Sequence, residues 1–280
     1  MNQEVIQGAL RLGRVTRFLP YFRGIGLFQR FYRSVLPQEA LCLSVDNFDG
    51  DLRLENLDVR DTMGINIWHR PEFFEKNPRE LFCDAIEPGS TVLDVGANIG
   101  IYTLLAAKRG ARVFAIEADP RNLERLRHHV HENGFDARVT VFPIAVSDRE
   151  CEATLFRFKG NWGHSNLFEG TDPVRVRCRT IDSLDLPPID VCKMDIEGSE
   201  LSALRGMEAT LERSPRLNLL VEYAEVFGAS TEMTDYIRAR FAPVYAIRQP
   251  PFPPFGPLSA VKKAPPNCDL WAIRKSRCKQ

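Results

Sequence analysis

The chain has 280 residues, and its composition, 44% hydrophobic and 26% charged, is typical of a globular protein. Its net charge is zero, which gives no electrostatic basis for binding nucleic acid. Its seven cysteines form no C-x-x-C pair, so we expect free thiols in a reducing, cytoplasmic compartment and neither a zinc site nor a disulfide framework. No stretch approaches about 18 apolar residues, so we expect no membrane span, and we expect no signal peptide.

Residues 1–40 form a basic amphipathic extension. The first 38 residues contain six arginines and one acid, Glu4. The arginines alternate with leucine and phenylalanine, while proline and glycine would divide any helix into short pieces. Such a segment packs on its own domain or on a second subunit, or it lies on an anionic membrane surface. Self-association and peripheral contact with the inner membrane face are therefore both predicted as alternatives.

Residues 41–70 precede the main domain and contain a predicted β-hairpin. Residues 41–60 alternate apolar and polar side chains around Asp49-Gly50, a dipeptide typical of hairpin turns. The main domain is predicted to span residues 71–280. It begins with a helix over residues 71–87, in which phenylalanine, leucine and isoleucine form an apolar stripe.

The centre of the main domain alternates strands with helices. The predicted segments are strand 91–96, helix 99–110, strand 112–118, helix 120–134 and strand 139–146. The histidines of the second helix, His128, His129 and His131, are predicted to be solvated. Alternation at this spacing predicts an α/β fold with a doubly wound, mostly parallel sheet.

The alternation is interrupted and then resumes. Antiparallel strands are predicted over residues 151–158 and 174–182, with a polar loop over 159–173. The later predicted segments are strand 188–196, helix 199–213, strand 216–224, helix 231–241, strand 243–249 and an antiparallel last strand, 268–275. The proline-rich residues 249–267 are predicted to be a loop on the side where the acceptor binds.

The turn after the first core strand indicates a cofactor without phosphates. A dinucleotide site requires G-x-G-x-x-G, but Asn98 replaces the second glycine and Ile101 the third. The amino-acid end of S-adenosylmethionine suits the N–H groups of the turn between Gly96 and Gly100. Asp94 is then placed to organise the turn or to meet an ammonium group. Glu117, at the end of the next strand, is placed to accept both ribose hydroxyls.

Asp195 is the preferred catalytic base, because it follows a core strand at the carboxyl edge where such sheets bind ligands. A lysine in that strand, Lys193, needs a partner, and Asp195 or Glu197 can supply it. Glu197 either lines the site or only shapes the start of the next helix. His164, in the polar loop, is the alternative base. Asp195, Glu197 and Glu222 could gather a cation, but Lys193 would oppose it, so no metal is predicted.

Four stretches resemble a known family: "VLDVGANIGIYT", "AIEADPRNLERLRHHVHENG", "IAVSD" and especially "VCKMDIEGSELSALRGM". They are similar to the FkbM-like S-adenosylmethionine-dependent methyltransferases over about residues 68–225. The resemblance implies a class I methyltransferase (Rossmann-like) fold with a seven-stranded sheet. It also implies S-adenosylmethionine as the cofactor. The candidate cofactor contacts are Asp94, Gly96, Ala97, Asn98, Gly100, Tyr102, Thr103, Glu117, Ala118, Ala145 and Asp195.

The expected function is O-methylation of a hydroxyl on a sugar, glycolipid or secondary metabolite, by in-line transfer with a carboxylate base. The partner is then a small-molecule or glycan acceptor and not a nucleic acid. Two alternatives are kept. One is a binding protein that retains the cofactor fold without turnover. The other is a nicotinamide-dependent oxidoreductase, which Asn98 and Ile101 disfavour.

Overall fold

The structure is a computed structural model that describes residues 42–58, 62–69, 71–72, 74–158, 161–168, 170–224, 230–247, 255–257 and 268–274. The chain divides into two compact units, residues 1–74 with 158–164 and residues 75–157 with 165–280. The predicted basic extension, residues 1–40, lies outside the described residues. Within the described ranges, no helix has the length and apolar character needed to cross a membrane.

The predicted hairpin is present in the first unit. Strand β1 (Cys42–Phe48) pairs antiparallel with strand β2 (Leu52–Asp58). Asp49 and Gly50 take φ angles of 48° and 98° at the turn between them. A helix that was not predicted follows, α1 (Thr62–His69). Gly64 lets this helix approach β2, because a Cβ on Gly64 would lie 2.2 Å from the carbonyl oxygen of Asp58.

The second unit is built on a sheet of eight strands. In chain order they are β3 (Thr91–Val95), β4 (Arg112–Ile116), β5 (Val139–Phe142), β10 (Val191–Met194), β11 (Asn218–Tyr223), β12 (Phe241–Ile247), β13 (Phe255–Pro257) and β14 (Cys268–Arg274). Across the sheet the order is β13-β12-β14-β11-β10-β3-β4-β5. The predicted α/β class is confirmed, but the predicted count of seven strands was one too low. The additional edge strand, β13, lies within the segment 249–267, which was predicted to be a loop.

Strand directions place the functional edge of this sheet. Strand β3 pairs parallel with β4 and β10, β4 with β5, and β10 with β11. Strand β14 runs antiparallel to β11 and β12, as predicted for the last strand. The chain builds the sheet outward in opposite directions from β3 and β10. A crevice at the carboxyl ends of the strands forms at such a point and is where α/β proteins bind ligands.

Helices cover the sheet, and two of them differ from prediction. The helices are α2 (Lys76–Asp84), α3 (Ile101–Lys108), α4 (Pro120–Glu132), α5 (Glu200–Arg205), α6 (Glu208–Arg213) and α7 (Thr231–Arg240). Of the described residues within the predicted helix 71–87, only those of α2 are helical. The predicted helix 199–213 is divided between α5 and α6 at Gly206. At this break the chain lies against Ser147, and a Cβ on Gly206 would be 2.1 Å from its carbonyl oxygen.

A second sheet follows β5. Strands β6 (Ala145–Val146), β7 (Cys151–Phe158) and β9 (Asp172–Arg179) belong to it, with β9 antiparallel to β7 and parallel to β6. The predicted strand 139–146 is therefore two strands in two sheets, because Pro143 has no N–H to continue a ladder. The loop predicted over residues 159–173 contains a strand, β8 (Asn161–Asn166).

The interior of the main sheet is apolar on both faces, as expected for parallel strands covered by helices. Leu93, Cys192 and Leu219 occupy matching positions on three neighbouring strands, and each is fully buried. Asp94 and Lys193 are also register partners, on β3 and β10, and both are buried. Buried charged groups need partners to offset the loss of hydration, so this pair is a candidate for the functional site.

Candidate cofactor and active site

The turn after β3 is held in shape by the neighbouring strand. Gly96, Asn98 and Gly100 have φ angles of 76°, 53° and 95°, a conformation that favours glycine and tolerates asparagine. The N–H groups of Gly96 and Ala97 both donate to the carbonyl oxygen of Ile116, at 3.0 and 2.9 Å. The turn is thus fixed to the end of β4 before any ligand binds.

Gly96 is required by packing as well as by its φ angle. A Cβ at this position would lie 1.9 Å from the carbonyl oxygen of Asp195, the residue that follows β10. The N–H of Asp195 in turn donates to the carbonyl oxygen of Val95 at 3.0 Å. The predicted cofactor turn and the predicted catalytic base are therefore neighbours at the carboxyl edge of the sheet.

Asp94 is fully buried at the end of β3 and has one carboxylate oxygen available. Its Oδ2 accepts from the hydroxyl of Thr103 at 2.6 Å, and its Oδ1 has no hydrogen-bond partner among the described residues. Burial raises the pKa of Asp94, while Lys193 and Thr103 lower it. A buried acceptor that lacks a donor fits the predicted contact with an ammonium group.

The start of helix α3 offers the complementary charge. Its N-cap residue, Gly100, supplies no side-chain hydrogen bond. The first N–H groups of a helix have no partner within it and favour an anion. Asp94 and the start of α3 thus combine an acceptor suited to an ammonium group with donors suited to a carboxylate, as an amino-acid moiety requires.

Glu117 follows β4 and is also buried. Its Oε2 accepts from the N–H of Asn98 and its Oε1 from the N–H of Asp119, both at 2.7 Å. Each carboxylate oxygen has a second lone pair, so both can still accept a ribose hydroxyl. Burial raises the pKa of Glu117 to about 7, against the lowering effect of these backbone hydrogen bonds.

His129, predicted to be solvated, is fully buried on helix α4. Its Nδ1 lies 2.7 Å from the carbonyl oxygen of Ile99, within the cofactor turn. A carbonyl oxygen only accepts, so Nδ1 carries the proton in this contact. His129 therefore supports the turn from below. The spacing of Leu126, His129 and Val130 on one helix face was the signal that could have identified it.

The predicted contact between Lys193 and Asp195 is present. Lys193 Nζ lies 3.1 Å from Asp195 Oδ2, and the two side chains are 10% and 31% exposed. Burial alone would lower the pKa of Lys193, but Asp195, Asp94 and Glu75 outweigh burial and raise it. Lys193 is therefore a fixed positive charge, and it holds one oxygen of Asp195 in place.

Two further side chains join this pair, and one of them was not predicted. Tyr102, expected as a cofactor contact, has its ring centroid 5.1 Å from Lys193 Nζ and donates its hydroxyl to Glu75 Oε2 at 2.8 Å. Glu75 lies at the N-cap of α2 with a φ angle of 44°. Burial raises the pKa of Glu75, while Lys193 lowers it. Glu75 is thus part of the same electrostatic group as Asp195.

Asp269 and Glu222 complete the group of acids. They are register partners on β14 and β11, where like charges repel. Burial raises the pKa of Asp269 to about 8, with Glu75 and Asp195 acting in the same direction. Burial likewise raises the pKa of Glu222 to about 10, and the nearby carboxyl groups of Asp195 and Glu197 act in the same direction. Asp269 was missed, although an acid inside the apolar strand "CDLWAIRK" was a usable signal.

The three acids considered for a metal do lie together. Carboxylate oxygens of Asp195, Glu197 and Glu222 are within 4.8 Å of one another. Lys193, bonded to Asp195, would oppose a cation there, and metal independence stays a prediction. Glu200 shapes the loop before α5, because its carboxylate accepts from the N–H groups of Ile196 and Gly198. Glu197 lies in the same loop with a φ angle of 52°, and both roles considered for it stay predictions.

The remaining predicted residues are placed in part. Ala118 follows Glu117, and Ala145 begins β6 as the register partner of Cys178. Their contacts with a cofactor stay predictions. His164 lies in strand β8, but its side chain is outside the described part of the structure. Its role as an alternative base also stays a prediction.

Residues 94–242, more than half of the chain, match the family described as Methyltransferase FkbM domain. The chain belongs to this FkbM methyltransferase family. A hexuronic acid methyltransferase, AglP of Haloferax volcanii, is 28% identical over 144 residues, 49% of this chain and 58% of that protein. The AMB antimetabolite synthetase AmbE of Pseudomonas aeruginosa is 25% identical over 208 residues, 56% of this chain and 10% of that protein. The chain thus spans less than two thirds of either curated relative.

Solved structures of methyltransferases are also similar to this chain. The FkbM methyltransferase of Methylobacillus flagellatus is 18% identical with a TM-score of 0.44, covering 76% of this chain and 55% of that one. An O-methyltransferase of Thermotoga maritima is 13% identical with a TM-score of 0.45, covering 74% and 68%.

S-adenosylmethionine is the methyl donor of the FkbM family. The described residues fit it. Asp94 has an open buried acceptor, the start of α3 has no side-chain cap, and the turn at Gly96 has no room for a Cβ. Membership in a methyltransferase family removes the support for a nicotinamide-dependent oxidoreductase.

Proposed function

We propose that this chain transfers the methyl group of S-adenosylmethionine to a hydroxyl of a sugar, glycolipid or secondary metabolite, with Asp195 as the base. The observation that carries the proposal is the Lys193–Asp195 pair beside the cofactor turn. The name of the Haloferax volcanii relative, a hexuronic acid methyltransferase, supports a sugar as the acceptor class.

Four groups would hold the cofactor. Asp94 would accept a hydrogen bond from its ammonium group, and the first N–H groups of α3 would bind its carboxylate. Glu117 would accept hydrogen bonds from its ribose hydroxyls, and Ala118 and Ala145 would lie against its adenine ring. When bound, S-adenosylmethionine supplies an electrophilic methyl group on a positively charged sulfur. The protein therefore needs to orient the acceptor and to remove a proton, and it needs no further electrophile.

Asp195 is arranged to take that proton. Lys193 contacts Oδ2, which leaves Oδ1 to accept a hydrogen bond from the acceptor hydroxyl. Oδ1 would hold the proton that the acceptor hydroxyl loses when its oxygen is methylated. A positioned base of this kind contributes about 10²- to 10⁴-fold to the rate. Lys193 acts through Asp195 and is a positioning residue.

The neighbouring acids favour an acceptor with several hydroxyl groups. Burial and the neighbouring carboxylates raise the pKa values of Asp269 and Glu222, which favours their protonated forms. A protonated carboxyl donates one hydrogen bond and accepts others, which matches the mixed donor and acceptor character of a sugar hydroxyl.

An acceptor screen with isotopically labelled methyl donor tests the proposal. The purified chain is incubated with fractionated extract of its native cell, and labelled products are isolated and hydrolysed. Label in an alkali-stable methyl ether supports the proposal, whereas label in a methyl ester or on nitrogen contradicts it. Cofactor binding without transfer to any fraction would favour a non-catalytic binding protein. RNA serves as a negative control, because the chain has no net charge and is not expected to bind nucleic acid.

A further inference from the structure

Two cysteines face each other across the second sheet. Cys151 begins β7 and is the register partner of Cys178 on β9, in an antiparallel ladder. Side chains directly opposite in such a ladder project from the same face, and their Cα atoms are about 4.5–5.5 Å apart. Disulfides join Cα atoms that are about 4.4–6.8 Å apart. The backbone therefore already has the spacing that a disulfide needs.

The two thiols differ in their access to solvent. Neither cysteine is in a disulfide, Cys151 is exposed, and Cys178 is buried with 1% of its surface exposed. The register pairing places the two thiols next to each other. Burial, followed by the proximity of Cys151, raises the pKa of Cys178 to about 11. An oxidant in solution can therefore reach Cys151, whereas burial shields Cys178.

Two other strand cysteines in the described part of the chain lack this arrangement. Cys192 on β10 has Leu93 and Leu219 as its register partners. Cys268 on β14 is opposite Tyr223. Cys83 lies on helix α2. Among these cysteines of the described residues, only Cys151 and Cys178 lie opposite each other on neighbouring strands.

We propose that Cys151 and Cys178 form a redox-modification site that reacts with small-molecule disulfides of the glutathione class. The Cys151 thiolate attacks one sulfur of the disulfide, forms a mixed disulfide and releases one thiolate. Cys178 loses its proton to water and attacks Cys151 Sγ, which releases the second thiolate. The two protein thiols lose two electrons to form one disulfide, and the small-molecule disulfide gains two electrons and becomes two thiols.

The position of the site relates it to the cofactor region. Strand β9 lies between β7 and β6, and Cys178 is the register partner of Ala145 on its other side. Ala145 is one of the predicted cofactor contacts. A bridge at residues 151 and 178 therefore ties together the strands next to that predicted contact. The proposal itself rests on the thiol geometry and stands without the proposed function.

The test uses the full reduced chain in buffers of increasing glutathione disulfide, quenched with an alkylating reagent. Non-reducing peptide mapping is expected to find a Cys151–Cys178 link, which dithiothreitol reverses. The proposal is overturned if the wild-type chain stops at a glutathione adduct on Cys151, or if Cys151 links to a different cysteine. This outcome is decided on the wild-type chain, so it does not depend on whether a variant folds.

Variants then test the order of attack. Cys178→Ser removes the second nucleophile, so a stable glutathione adduct on Cys151 is expected to accumulate. Cys151→Ser is expected to leave Cys178 unmodified in the folded chain. Cys83→Ser, a buried cysteine on α2, is the matched control and is expected to form the bridge as the wild type does. Modification of Cys178 at the wild-type rate in Cys151→Ser would contradict the proposed sequence.

Discussion

We expect Glu117 to make the affinity for the cofactor depend on pH. Its carboxylate accepts two backbone N–H groups, and its pKa is raised by burial to about 7. Ribose hydroxyls that donate to this carboxylate favour its ionised form. At a pKa of about 7 the ionised fraction rises about tenfold between pH 6 and pH 8. We therefore expect S-adenosylhomocysteine to bind about tenfold more tightly at pH 8 than at pH 6.

Glu117→Ala removes both the titrating group and its hydrogen bonds. Two hydrogen bonds to a charged group, at about 1.5–3 kcal/mol each, correspond to a loss of affinity of at least about a hundredfold at pH 8. The pH slope should also flatten in this variant, which separates Glu117 from other buried acids near the site. Calorimetric titrations at pH 6, 7 and 8 measure both effects, with Glu124→Ala as a control because Glu124 is an exposed acid on α4. Equal affinity at all three pH values in the wild type, or an unchanged slope in Glu117→Ala, would refute the reasoning.

Other perturbations follow from the same contacts. Gly96→Ala should destabilise the protein more than Gly134→Ala, because both glycines have positive φ angles but, of the two, only Gly96 lacks room for a Cβ. The loss in the free energy of unfolding should be greater for Gly96→Ala by more than about 1 kcal/mol, measured by thermal unfolding. Lys193→Met removes the positive charge beside the buried acids, so the fall of kcat at low pH should begin at a higher pH than in the wild type. An unchanged pH profile would show that Lys193 does not act on the base. His129→Ala should weaken cofactor binding through the loss of the bond to the turn, at a cost of about 1–3 kcal/mol, whereas His128→Ala should not. Activity should persist in a chelator, and a loss restored by magnesium or manganese would contradict metal independence.

Sequence reasoning located the part of the site that local rules determine. The order strand, turn, helix, strand, acid placed Gly96, Asp94 and Glu117 at one edge of the sheet, because parallel strands share that edge. The two-residue period of a strand put Lys193 and Asp195 on the same side, and their contact is present. These inferences need only neighbouring residues and a topology rule.

The rest depends on contacts between distant residues. Glu75 and Asp269 reach the site from helix α2 and strand β14, and no local pattern shows which loop or strand will face Lys193. His129 was misjudged because its neighbours His128 and His131 are polar as well; its spacing from Leu126 and Val130 indicates the buried face of α4, but its contact with the carbonyl oxygen of Ile99 depends on the tertiary structure. Gly206 belongs to a stretch that predicts one helix, and the contact with Ser147 at the break comes from a segment about sixty residues earlier.

The most direct test of the account is a single-turnover comparison of Asp195→Asn with the wild type. Both are saturated with labelled S-adenosylmethionine, their occupancy is measured, and the native acceptor is added. Because the amide keeps the shape of the side chain but loses the base, the rate of transfer should fall about 10²-fold or more at equal occupancy. An unchanged rate in Asp195→Asn, with transfer lost in His164→Gln, would contradict Asp195 as the base and assign that role to His164.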